Sequence, residues 1–153
     1  MSAFPVHHAE TDAEIARVFS VMRELRPHIK SESEFVARVR GQESESYRLI
    51  YVEADGKPVA CAGYRIMNLL YAGKSLYVDD LVCLEPFRGK GYAQALMRWM
   101  EAHARDEGCD MFHLDSGTQR IPAHRFYYRL GLAVTSFHFA KPLVRRRPRI
   151  TKL

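Results

Sequence analysis

The sequence is short of several things that would announce a function outright. Its three cysteines, Cys61, Cys83 and Cys109, form no CxxC pair and leave an odd number, which argues against both a disulfide framework and a thiolate zinc site. A reducing cytosol is the expected setting. No apolar run approaches the ~20 residues of a membrane span, and the start, "MSAFPVHHAE", has no charged-then-apolar signal sequence. No GxGxxG fingerprint is present: Gly89 and Gly91 are followed by Gln94 where a third glycine would stand. "GKS" at 73–75 imitates the end of a phosphate-binding loop, but Asn68 occupies the position where that loop requires glycine. Acidic residues are missing from the last thirteen positions, where Lys141, Arg145, Arg146, Arg147, Arg149 and Lys152 outweigh the whole net charge of +5. The basicity therefore belongs to a tail, residues 141–153. Its prolines and like charges favour a solvated segment, with a nucleic-acid arm as the less favoured reading.

What remains is one compact domain's worth of chain, expected over residues 1–140, with alternating helix and strand patterns. "PVHHAE" reads as a first strand. Thr11 or Asp12 then caps a helix carrying Ile15, Val18, Phe19, Met22 and Leu25 at a 3.6-residue period. A shorter helix begins at Ser31 or Ser33. Two strands follow, joined at Asp55-Gly56, and "KSLYVDDLVCLEP" is a third. Beyond the turn "RGKG" a helix sets Ala93, Leu96, Met97, Met100 and Ala104 on one stripe, "CDMFHLDS" is a strand, and "AHRFYYRL" is helical. "LAVTSFHFA", residues 132–140, is expected as the last strand. The class is α/β with a mixed sheet, in the order β-α-α-β-β-β-α-β-α-β.

The turn between strand and helix carries the chemistry. A helix start presents unpaired N–H groups and the positive end of the helix dipole. Gly89 and Gly91 remove Cβ atoms that would hold a phosphate away from the backbone, while Arg88 and Lys90 add positive charge. The competing reading is a glycine turn that merely starts a helix. His113, Asp115 and His124 follow no ligand spacing, so no metal is expected.

"VDDLVCLEPFRGKGYAQALMRWM" resembles the signature region of the GCN5-related N-acetyltransferase (GNAT) superfamily, through Arg88, Gly91 and Ala93, and "AHRFYYRLGL" resembles that family's Phe-Tyr helix. Within the family, the run Ala123-His124-Arg125-Phe126-Tyr127 is most similar to the aminoalkylphosphonate N-acetyltransferase branch; Arg120 stands where the wider family often has asparagine. The resemblance implies a GNAT fold with a splayed central sheet. It also implies acetyl-CoA as donor, its pyrophosphate on Arg88, Gly89, Lys90, Gly91, Tyr92 and Ala93 and its pantetheine arm along Val82, Cys83 and Leu84. Tyr127 matches the acid that protonates the departing thiolate. Asp79 is the candidate base, with Asp80 or a water as alternatives, because an amine must lose a proton before it attacks. Asp115, Arg120 and His124 are candidate contacts to the acceptor. The expected partners are a small-molecule primary amine and a second copy in a homodimer, with neither membrane nor nucleic acid. The expected reaction is direct transfer in a ternary complex, since no histidine is visibly placed to activate Cys83 as an acyl carrier; the alternatives are a non-catalytic CoA-binding module or acetylation of a protein or peptide amine.

Overall fold

The computed structural model describes residues 4–144, so most of the expected basic tail lies outside the described residues. The chain divides into two compact units, one ending at Phe112 and the other beginning at His113. Its elements run β1 (His7–His8), α1 (Asp12–Leu25), α2 (Glu32–Glu43), β2 (Arg48–Ala54), β3 (Lys57–Leu69), β4 (Gly73–Cys83), a 3-10 turn (Glu85–Phe87), α3 (Tyr92–Asp106), β5 (Met111–Leu114) and α4 (Ile121–Arg129). The strands lie in the order β1-β2-β3-β4-β5. This is the mixed α/β architecture expected from the sequence, up to its last element.

Local chemistry explains the boundaries in the first unit. Thr11 accepts the Glu14 amide at the head of α1 while Glu14 reaches back to the Thr11 amide, a reciprocal capping box. Ser31 accepts the Glu34 amide at the head of α2. The β2–β3 hairpin turns on Asp55 (φ 51°) and Gly56 (φ 73°), the two left-handed residues that such a turn needs to match strand twist. The sheet is buried on both faces. Ile15, Val18, Phe19, Val21 and Met22 of α1 join Phe35 and Val39 of α2 over Leu49, Tyr51, Cys61 and Val82. Ile50, Val52, Ala60 and Ala62, which alternate with that set, are equally buried, and α3 lies against β2, β3 and β4. The buried stripe of α3 is Ala95, Leu96, Met97, Met100 and Ala104. Ala93 is only half-buried, so the stripe begins one turn later than its sequence pattern implies.

Two irregularities matter for the site. The β3–β4 register runs Ala62↔Leu81, Gly63↔Asp80, then Tyr64↔Val78, leaving Asp79 as an extra residue in a bulge. The second is a difference of length: β5 has four residues and β4 eleven, so β5 can pair with only part of that edge, and no other described strand lies beside it.

In the second unit, α4 begins at Ile121 with Pro122 in its first turn, a position where proline's missing N–H costs nothing. Leu130 closes it, followed by Gly131 at φ 86°. The expected last strand is not formed: among the described residues, 132–140 carry no ladder pairing. A strand needs a neighbour to take up its N–H and C=O groups. Among the described residues none takes that place, and Val134, Phe137 and Phe139 remain 66%, 80% and 91% exposed.

Candidate active site

The bulge on β4 puts Asp79 and Asp80 both inside the protein, instead of on opposite faces as simple alternation would have it. Asp80 receives the Tyr47 hydroxyl at 2.8 Å and the Arg26 Nε at 2.8 Å. Asp79 is gripped by Arg65, whose Nε lies 3.0 Å from both carboxylate oxygens and whose Nη2 lies 2.6 Å from one. Arg26 ties the pair together by also donating to the Asp79 carbonyl at 3.0 Å. Each of the two buried carboxylates thus has its own guanidinium, and Arg65 also meets Glu45 at 3.2 Å. Burial pushes the Asp79 carboxyl above its ordinary value, with Arg65 pulling the other way. Tyr47 is fully enclosed and its phenol is pushed well above the usual range, by burial first and by Asp80 second, so it keeps the proton it donates to Asp80. Its ring occupies the space where any residue but glycine at 63 would place a Cβ.

Farther along β4, the Leu84 amide donates to the Val59 carbonyl at 2.9 Å. Alternation along a strand then turns the peptide groups of Leu84 and Val82 toward β3 and those of Cys83 toward the other edge. The Cys83 carbonyl accepts Arg88 Nε at 3.0 Å. Burial raises the Cys83 thiol above its ordinary value, against the nearby Arg88, so a reactive thiolate is disfavoured.

The turn that follows is the opposite of crowded. Gly89 (φ 74°) and Gly91 (φ 94°) both sit in the left-handed region, and Gly91 is the N-cap of α3 with no capping side chain. The first amides of α3 therefore lack the partner that Thr11 and Ser31 give the first two helices. Arg88, Gly89 and Lys90 are exposed, Gly91, Tyr92 and Ala93 half-buried. The Tyr92 ring is held by Phe4, stacked at 4.2 Å between centroids, and by the edge of Phe87 at 6.0 Å. Bare amides, two left-handed glycines and two cationic side chains fit a pyrophosphate.

In the second unit, the Gly117 carbonyl gathers the loop before α4: it lies 2.8 Å from His124 Nε2 and accepts the Arg120 amide at 3.0 Å. His124 is thereby a loop fastener. Arg120 is the N-cap of α4. Tyr127 is half-buried, and burial lifts its phenol above the ordinary value while Arg120 draws it down. A phenol so placed keeps its proton at neutral pH and can give it to a thiolate. Asp115 lies 3.6 Å from His138 Nδ1.

The sequence reading misses Tyr47, Arg26, Arg65 and Gly63. The last had a signal, since a glycine inside a strand often marks a bulge or a close approach. The arginines had none, because Arg26 meets Asp80 across 54 positions of chain.

Comparison with known proteins agrees with this architecture. A family model of the acetyltransferase (GNAT) family matches residues 13–132, and the chain belongs to that family. It is an acyltransferase of the N-acetyltransferase kind, in a family whose donor is acetyl-CoA. It is 32% identical over 131 residues to the uncharacterized N-acetyltransferase YhdJ of Bacillus subtilis, covering 85% of this chain and 92% of that one. It is 38% identical over 66 residues to an aminoalkylphosphonate N-acetyltransferase of Salmonella typhimurium, 43% of each chain. In fold it is similar to AAC(6')-Iy, solved in complex with the bisubstrate analogue CoA-S-monomethyl-acetylneamine, with a TM-score of 0.78 at 14% identity over 92% of this chain and 98% of that one. Among the described residues no helix is long and apolar enough to cross a membrane.

Proposed function

We propose that this protein transfers the acetyl group of acetyl-CoA to the primary amine of a small molecule, by direct attack while both substrates are bound. The observation that carries the reading is the uncapped start of α3 behind two left-handed glycines. The pyrophosphate sits on the backbone of residues 88–93, with Arg88 and Lys90 beside it. Cys83, whose peptide groups face the open edge of β4, pairs with the pantetheine arm, and its Val82 and Leu84 neighbours flank it. Asp79, whose carboxyl is raised above its ordinary value by burial, takes the proton of the acceptor ammonium, directly or through a water. Asp80, held by Tyr47 and Arg26, keeps Arg26 and the bulge in place. The amine nitrogen bonds to the acetyl carbon, the C–S bond breaks as Tyr127 protonates the leaving sulfur, and the proton shed by the new amide nitrogen passes to water while water restores the Tyr127 phenol.

The acceptor we favour carries an acid group as well as its amine, with Arg120 meeting the anion. The partial likeness to an aminoalkylphosphonate N-acetyltransferase supports this. His124, committed to Gly117, and Asp115, paired with His138, shape the acceptor side rather than bind it directly. We assign residues 1–140 to one acetyltransferase domain, 141–153 to a basic tail, and the working form to a cytoplasmic homodimer, in keeping with three unpaired cysteines.

The test is Tyr127→Phe assayed with acetyl-CoA and a panel of aminoalkylphosphonates, amino acids, alkylamines and lysine peptides. A fall in kcat of about 10²-fold or more, with acetyl-CoA binding little changed, is expected. Tyr128→Phe is the control, because Tyr128 is 56% exposed. Full activity in Tyr127→Phe removes the proposed acid, and turnover of lysine peptides alone removes the small-molecule acceptor.

A further inference from the structure

Gly89 and Gly91 give the turn before α3 its shape and also its weakness. Glycine has more backbone freedom to lose than any other residue, and a turn left loose has to be ordered at the moment of binding, at the expense of affinity. Side chains at its two ends hold it in different ways. At the start, Arg88 Nε is tied to the Cys83 carbonyl at 3.0 Å. At the end, Tyr92, the first residue of α3, is held by a stack of rings that begins outside the turn. Phe4 lies on Tyr92 at 4.2 Å between centroids, with the ring planes 29° apart. Phe87 meets Tyr92 edge-on at 6.0 Å, and the Lys90 ammonium stands 5.7 Å from the centre of the Phe87 ring. Phe4 also covers Gly91, where a Cβ would lie 3.5 Å from its ring. One continuous stack thus runs from the segment before β1, across the N-cap and first residue of α3, to a cation of the turn.

We propose that Phe4 is a positioning residue for acetyl-CoA: by fixing Gly91 and Tyr92 it aims the first amides of α3, and through Phe87 the Lys90 ammonium, at the pyrophosphate before the cofactor arrives. The segment that carries Phe4 is itself anchored. His7 and His8 pair with Tyr51 and Ile50 of β2, and the Ala9 amide donates to the Leu49 carbonyl at 3.0 Å. Pro5, with its fixed φ, leaves little slack between that strand and the ring. α3 packs against the same β2, so both partners of the Phe4–Tyr92 stack are mounted on one sheet. The place of the stack separates it from core filling. Phe4, Phe87 and Tyr92 are all half-buried, beside the exposed Arg88, Gly89 and Lys90, and Phe4 stands apart from the buried cluster that α1 and α2 form over the sheet. Its loss therefore loosens the turn and leaves that cluster intact. The inference rests on the reading of residues 88–93 as the pyrophosphate site and is independent of the acceptor and of the base.

The experiment titrates acetyl-CoA calorimetrically into the full chain, Phe4→Ala, Phe4→Trp and Gly91→Val, and reads hydrogen exchange along the same proteins. Phe4→Ala is expected to keep the parent's circular dichroism and to raise the Kd of acetyl-CoA about tenfold, the size of effect that a stacked ring pair and its buried area supply. Phe4→Trp, which keeps a ring to stack, is expected to bind within about threefold of the parent. In unliganded Phe4→Ala, exchange is expected to rise at residues 87–95 and not in α1, and saturating acetyl-CoA should return it to the parent's level. A folded Phe4→Ala that binds within about twofold of the parent, while Gly91→Val loses binding, overturns the inference and leaves the phosphate site standing. Parental binding in both variants overturns the inference together with that site. A loss in Phe4→Ala that Phe4→Trp does not relieve, or exchange raised through α1 and β2 alike, makes Phe4 a structural residue only and overturns the inference as well.

Discussion

The two ends of one short stretch, Asp79–Asp80 on β4 and Gly89–Gly91 before α3, are built on opposite terms. At the first, every carboxylate oxygen already has a donor: Arg65 on Asp79, Tyr47 and Arg26 on Asp80. At the second, the amides of a fifteen-residue helix start without any capping side chain, although the chain caps its first two helices carefully. Buried charge must be paired to be tolerated, because stranding one partner costs several kcal/mol. Exposed helix amides can wait, because water satisfies them until an anion arrives. The difference separates carboxylates whose orientation is fixed in advance from amides that await their partner.

The comparison is broken most severely at the carboxylates. Asp79→Asn keeps the shape and removes the base, and kcat is expected to fall by about 10²–10⁴-fold with acetyl-CoA binding retained. Activity within twofold of the parent would assign proton removal to water alone. At the turn, Gly91→Val meets a backbone at φ 94° that a β-branched residue resists and places a Cβ where Phe4 lies 3.5 Å away. Acetyl-CoA is expected to raise the Tm of the parent and to leave that of this variant unmoved, a loss of at least about tenfold in affinity. A variant that remains folded and binds like the parent would put the phosphate site elsewhere.

A smaller effect sharpens the structural side. Gly63→Ala drives a methyl into the Tyr47 ring and is expected to cost about 1–3 kcal/mol in urea unfolding. Tyr47→Phe removes a donor from Asp80 and costs a similar ~1–3 kcal/mol. If both substitutions were neutral, the network would not be holding the bulge. The weakest effect is one of pH. Burial, the largest influence, depresses the His8 pKa where its ring packs edge-on against Trp99, so the folded state binds its proton less readily than the unfolded one. Its contribution to stability is present above the ordinary histidine value near ~6.5 and is lost as pH falls toward the lower folded value. His8→Gln is expected to flatten the fall of unfolding free energy between about pH 7 and pH 5, and an unchanged slope would assign that fall to other groups such as His113, also depressed by burial.

Much of this protein was determined by its sequence. The caps at Thr11 and Ser31, the Asp55-Gly56 hairpin and the glycine turn before α3 are local events, fixed by a few neighbouring residues and their backbone preferences, and local chemistry is legible in one dimension. The stripe of α3 could be read for the same reason, to within a turn. Tertiary structure alone decided the rest. Simple alternation put Asp79 and Asp80 on opposite faces of a strand; one extra residue against Gly63 brought both inside, where arginines from α1's end and from β3 neutralise them. Nor could pattern decide that residues 132–140, strand-like in sequence, would carry no ladder pairing among the described residues. A strand exists only by its neighbour's hydrogen bonds, and a buried charge only by its counter-ion. Both partners come from distant positions that no spacing along the chain encodes.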